Sequence, residues 1–252
     1  MSDDKPPRVL VLYPVRGVMA LVYTFFAFLM LIITLGYFAF LFKSIGINDV
    51  YSLALAFSFS FLSFVFSPVN LVLKEINREA LLPEVDVIYV FGIPVYVPRL
   101  SYQARKTLVA INIGGAIIPV AISSILLFFT VKLSPLIPIL VLVNTALVTL
   151  VSNRFSRVLP GVGVVMNPLI APVTSSLISL LLFSHLAIFI PISAYISSVL
   201  GTLIGADLLN MKKIIDASPQ IVSIGGMGTF DGIFLSGVFS IILGEFFLTL
   251  VH

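Results

Sequence analysis

No cysteine occurs in this 252-residue chain. Disulfides, a thiolate nucleophile and thiolate-held metals are therefore excluded, and the redox compartment cannot be read. Charge is scarce too. Only 10% of residues are charged and 60% are hydrophobic, whereas a soluble globular domain carries about 25% charged residues. With a mean hydropathy of +1.19, the chain reads as an integral membrane protein whose surroundings are lipid bilayer, with no nucleic-acid partner. The net charge of +3 says less than the places where the basic residues lie.

What is present is long apolar runs. About 20 apolar residues of helix cross a hydrocarbon core. The charge-free stretches predict one polytopic domain over 1–252, an all-α membrane protein with seven transmembrane helices. They fall at about 17–42, 50–73, 107–131, 133–153, 162–183, 191–211 and 232–251. The first run is too long for a cleavable signal peptide and lacks a small-residue cleavage pattern.

Basic residues mark cytoplasmic loops. The N-terminal arm holds Lys5, Arg8 and Arg16, and the segment after span two holds Lys74, Arg78, Arg99, Arg105 and Lys106. Arg154 and Arg157 follow span four, and Lys212 and Lys213 follow span six. Only Lys43 and Lys132 lie on the other side. This places the N-terminus in the cytoplasm, in a multi-pass protein of the cell membrane.

One insert, 74–106, is large enough to have its own structure. KEINREALLPEVD reads as a helical continuation stopped before Pro83. VDVIYVFGIPVYVPRL, broken at Gly92-Ile93-Pro94, reads as a small cytoplasmic β-hairpin. Such a hairpin offers an edge to an extended peptide, or lies on the membrane surface with its tyrosines at the interface. Within the spans, Asn112 precedes Gly114-Gly115 and Pro119, and Asn167 precedes Pro168 and Pro172. The similar strings from Ile118 and Ala171 hint at a parallel repeat of a two-span unit.

The costliest residues are two acids. Asp207 sits near the end of span six, and Asp231 opens span seven after Gly225, Gly226 and Gly228. Acids in such places call for a reason. On consecutive antiparallel helices both lie near one membrane face. Two neighbouring carboxylates in low dielectric share a proton, so one serves as base on a water while the other activates a peptide carbonyl. No metal or cofactor is required. The three glycines, with Thr229, are the residues expected to let a substrate backbone approach. Simpler roles exist. Asp231 can cap the last helix, and Asp207 can pair with Lys212 or Lys213 or bond Asn210. His185 fits an outer turn, and Glu245 faces either the interior or the outer interface.

GTLIGADLLN (Gly201–Asn210) and SIGGMGTFDGIFLSG (Ser223–Gly237) resemble an uncharacterised archaeal and bacterial family of multispanning membrane proteins, which implies no activity. The placing of the acids also resembles the presenilin-like intramembrane aspartyl proteases, with one aspartate in a helix and another in a Gly-x-Gly-Asp motif on the next. That resemblance implies catalytic roles for Asp207 and Asp231 and matches Gly226 and Gly228 to the motif glycines. The pattern departs from it in three ways. Thr229 and Phe230 intervene before Asp231, Ala206 replaces a tyrosine, and no proline-alanine-leucine helix follows. Three functions stay open: a protease acting on transmembrane peptides, a small proton- or cation-coupled transporter using Glu245 and Asn112 as well, or a non-catalytic scaffold. Oligomeric state is unread.

Overall fold

A computed structural model describes residues 7–251 apart from 14, 92, 160–162, 218 and 227. Lys5, Gly92 and position 162, used above to mark an arm, a turn and a span start, lie outside the described residues. Helices α1 (Val18–Ser44), α2 (Asp49–Val65), α3 (Ile118–Leu133), α4 (Leu136–Phe155), α5 (Ile170–Leu182), α6 (Phe189–Thr202), α7 (Met211–Asp216) and α8 (Gly232–Val251) form the body. A π-helical stretch, Ile113–Ile117, leads into α3, and another, Leu203–Leu208, joins α6 towards α7. Five of the resulting segments are long and apolar enough to cross a membrane: α1, Ile113–Leu133, α4, Phe189–Asp216 and α8. Helices α2 and α5 are apolar but shorter.

The centre of the bundle is α6. All its residues except Leu200 are buried, as expected of a helix that is hydrophobic all round. Helices α4, α5 and α8 pack around it. Lipid offers no hydrophobic drive for helix association, so small and hydroxyl side chains supply the contacts. Gly201 and Gly205 bring α6 against α4: a Cβ at Gly205 would stand 2.9 Å from that of Ser152. Ser176 Oγ donates to the Ser240 carbonyl at 2.9 Å and Ser198 Oγ to the Ser236 carbonyl at 3.0 Å. Asn144 Nδ2 donates to Ser179 Oγ at 2.8 Å and to Ser193 Oγ at 3.1 Å, tying α4 to α5 and α6.

The β content exceeds the small hairpin expected of an all-α protein. Strands β1 (Val9–Val11), β2 (Val69–Val90), β3 (Ile93–Asn112) and β6 (Ile221–Ile224) make one sheet in the order β1-β2-β3-β6. β4 (Arg157–Leu159) and β5 (Gly163–Val165) pair separately. The hairpin β2–β3 therefore runs from Val69 to Asn112, and KEINREALLPEVD is strand, not helix. Its pattern admits this reading because Pro83 is tolerated on an edge strand. The expected spans 50–73, 107–131 and 162–183 are shortened accordingly. Residues 69–73 and 107–112 are strand, and α5 starts only at Ile170, after Asn167-Pro168. Pro68 breaks the first, and a proline biases its preceding residue away from helix.

Every strand falls on one end of the bundle: before α1, between α2 and α3, between α4 and α5, and before α8. Twelve of the fourteen basic residues lie in these segments, in α7 or in the last turn of α4, counted along the chain. Sheet and helices are joined by glycines. A Cβ on Gly115 would stand 2.6 Å from the Gly228 carbonyl oxygen, and one on Gly225 would stand 2.7 Å from Ala116 Cβ. Gly115→Ala is expected to destabilise the protein by about 1–3 kcal/mol, the usual cost of forced overpacking. Gly36→Ala, where nothing lies within 4 Å, should be neutral or stabilising. Thermal unfolding of both variants in detergent, compared with wild type, checks this.

Candidate functional site

Asp207 lies in the π-helical stretch Leu203–Leu208. A π-turn inserts a residue into the helical ladder and displaces carbonyls from their regular partners, and such turns often accompany functional sites. Side chains meet those carbonyls here. Asn153 Nδ2 donates to the Gly205 carbonyl at 3.0 Å, and Asn210 Nδ2 donates to that of Ala206 at 2.9 Å. Asn210 is held in turn by Ser156 Oγ at 2.9 Å. Lys213 Nζ donates to Asn210 Oδ1 at 3.3 Å, so that lysine and that asparagine are engaged with each other, and neither bonds Asp207. Among the described residues Asp207 makes no salt bridge or hydrogen bond.

Asp231 is positioned by a different device. Strand β6 runs parallel to β3, with Leu108 to Ile111 beside Ile221 to Ile224. The chain then turns at Gly225, whose φ of 68 only glycine adopts freely. Gly228–Phe230 forms a single 3-10 turn, so Thr229 and Phe230 are spent on reaching the start of α8. There Asp231 Oδ2 accepts from the Ile233 amide at 3.0 Å, the geometry of a helix cap. The turn is anchored from below. Ser67 Oγ accepts from the Thr229 amide at 3.1 Å, and Asn112 Nδ2 donates to the Ser67 carbonyl at 2.8 Å. Asn112 Oδ1 accepts from the Gly115 amide at 2.7 Å.

The two acids line one cavity of about 670 Å³ and are near enough for their charges to interact. Among the described residues no Lys, Arg or His lines it. Its other walls are mostly apolar: Val158 and Leu159 of β4, Val164 and Val165 of β5, Met211, Ile214 and Phe230, with Thr202 and Ser223 as hydroxyls. All four consecutive residues of β6 line it. β6 is the last strand of its sheet, so among the described residues its side away from β3 is unpaired.

Of the glycines expected to lie against a substrate, Gly226 lines the cavity. Gly225, Gly228 and Thr229 lie instead in the packing that supports it: a Cβ on Gly228 would stand 2.8 Å from Ser67 Cα, and Thr229 is 2% exposed. Glu245 and Asn112 do not line the cavity. His185 is exposed in the turn between α5 and α6. The β4–β5 wall went unread from sequence because its strands are three residues long, too short for periodicity to register.

Asp231→Ala should cost about 1 kcal/mol of stability through the lost cap, while Asp231→Asn, which still caps, should cost little. Unfolding midpoints of the two variants check this. No curated protein and no solved structure matches the chain. A family model does, over residues 64–243, the span that holds the hairpin, both acids and every wall of the cavity but Leu12. The chain belongs to that family, the protein of unknown function family DUF1614.

Proposed function

We propose that this protein is an intramembrane aspartyl protease, using Asp207 and Asp231 to hydrolyse peptide bonds of membrane-embedded polypeptides in the cell membrane. The observation that carries the reading is that the two acids, set apart by 24 positions of sequence, line one mostly apolar cavity. Like charges that close in low dielectric favour a shared proton. The ionised carboxylate takes a proton from water, and the water oxygen bonds to the peptide carbonyl carbon. The protonated acid donates a hydrogen bond to the carbonyl oxygen. As the tetrahedral intermediate collapses, the C–N bond breaks, the nitrogen takes up a proton, and a carboxyl and an amine are left.

The edge of β6 supports a peptide substrate. An extended segment can add to it through backbone hydrogen bonds, which also holds the scissile bond away from the helical ladder that would otherwise shield it. Gly226, at the end of that edge, leaves room for the incoming chain. The likeness to presenilin-like proteases is in the acids and their helices; the longer spacing before Asp231 is taken up by the 3-10 turn. In this reading the seven apolar helices all sit in the bilayer, with the sheet at the cytoplasmic face. A carrier is less well supported, because Glu245 and Asn112, the further polar groups it would use, are outside the cavity.

The test is cleavage of a transmembrane peptide, its helix weakened by glycine and proline, by the purified protein in lipid vesicles. New termini are read by mass spectrometry. Wild type should release two fragments, and Asp207→Asn and Asp231→Asn should each lower the rate by roughly 10²–10⁴-fold. Because the asparagine at 231 preserves the cap, its loss of activity reports chemistry and not folding. Cleavage that persists in both variants would overturn the proposal.

A further inference from the structure

Among the described residues, Leu12 is the one wall of the acid cavity that comes from the arm preceding α1. It follows directly on β1, the three-residue strand at the edge of the sheet. The arm then passes a second cavity of about 170 Å³, which Tyr13 and Val15 line together with Tyr23, Ser67 and Pro68. Tyr23 in turn meets the ring of Phe230, a wall of the acid cavity, with 4.8 Å between ring centroids. One short stretch of chain therefore walls both cavities.

That stretch is held mainly by its backbone. The Val72 amide donates to the Arg8 carbonyl at 3.0 Å, and the Leu12 amide donates to the Pro68 carbonyl at 2.8 Å. Between them Val9, Leu10 and Val11 lie opposite Leu71, Asn70 and Val69. The two end bonds fix the phase of this antiparallel pair, in which hydrogen-bonded positions alternate with others. The amides of Leu10 and Leu12 point to β2, and those of Val9 and Val11 point away from it. Side chains add little, since Val9 and Val11 are 48% and 55% exposed and Tyr13 is 70% exposed. Bonds on such an edge exchange for bonds to water at a small net loss. A segment with few buried apolar contacts belongs to the least stable part of a fold. Gly17 joins the arm to α1 at φ 65 and ψ −143, a conformation nearly reserved for glycine. A Cβ there would meet nothing within 4 Å, so this joint is a hinge with room to turn.

We propose that residues 8–12 are a strap on the acid cavity, which leaves β2 to admit an extended apolar polypeptide segment and then closes again. The identity of the segment admitted rests on the protease reading; the strap rests on the contacts of the arm. With the strap down, a segment laid along β6 shares the cavity with Leu12. With it lifted, that wall is withdrawn, and the cover that Tyr13 gives the second cavity goes with it. The guest then has room for side chains beyond the one cavity. Its apolar character follows from the other walls, which are mostly apolar.

The test uses the full-length protein in lipid vesicles. Hydrogen exchange read by mass spectrometry should show the amides of 8–13 exchanging about tenfold or more faster than those of 108–111, where β3 pairs with β6. Because the chain has no cysteine, Val164→Cys places a single thiol on the cavity wall. Its rate of reaction with a biotin maleimide reports entry. Leu10→Pro removes a donor to β2 and should raise that rate about tenfold, the worth of one backbone bond in the opening equilibrium. Val11→Pro removes an outward donor and should leave it within about twofold. Leu12→Ala withdraws the wall, keeps the ladder and should also raise the rate. Exchange of 8–13 in step with 108–111 would overturn the strap, as would equal labelling of the two proline variants. So would labelling unmoved by Leu10→Pro, or by Leu12→Ala where the proline variant does not fold. Faster labelling with no peptide cleavage by any form would leave the strap standing and overturn the protease reading.

Discussion

The close approach of two glycine-bearing backbones, 113–117 and 225–228, is the contact on which the rest of the structure depends. At Gly115 and Gly225 a side chain would occupy the space the other segment fills. With none there, the turn before α8 sits directly on the start of α3. Ser67 and Asn112 complete the joint by taking the polar groups that it exposes. Non-helical backbone at membrane depth is tolerated only where each polar group finds a partner or lines a cavity. Ser67, Asn112 and the Thr229 amide tie three chain segments together at this joint. It thereby sets β6 beside β3 and Asp231 at the wall of the cavity.

Asp207 reaches the same cavity by independent means. Its π-helical stretch turns it out of the α6 ladder, and Asn153 and Asn210 accommodate the carbonyls upstream. Gly201 and Gly205 let α4 close in behind it, so that the wall carrying the acid backs onto another helix. Each acid is thus positioned by backbone geometry that neighbouring side chains hold in place. Such over-determination is what lets an unfavourable arrangement of charge persist in a folded state.

The acids were legible because carboxylates are rare and costly in apolar runs, and the glycines before Asp231 were legible because they cluster. The helices were legible from the absence of charge. That same signal failed at Val69–Leu73 and Thr107–Asn112, where strand is as apolar as helix. Periodicity does not separate the two over runs so short. Pro68 and the Asn112–Gly115 string were the local marks of the change. The cap at Asp231 was readable from its place before a helix, and the structure has it. The π-turn was not readable, since it depends on which side chains elsewhere receive the displaced carbonyls. Ser67 was missed for the same reason: its partners lie at Thr229 and Asn112, far along the chain.

A bundle of helices has few spare backbone hydrogen bonds to offer along its length, because between its ends each helix satisfies its own. A sheet does, at its edges. This chain builds one sheet against one end of its helices and then treats the edges differently: β1 covers the root of β2, prolines interrupt β3 near its tip, and β6 is left open along the cavity. On the proposed reading that asymmetry has a physical logic. Hydrolysis within a membrane needs a substrate in extended form beside two carboxylates, and an open strand edge supplies the extended form through the same bonds that a transmembrane helix gives up when it unwinds. The cost of opening the substrate helix is then offset at the site where the bond is to be broken, and the 670 Å³ cavity is where water can meet it.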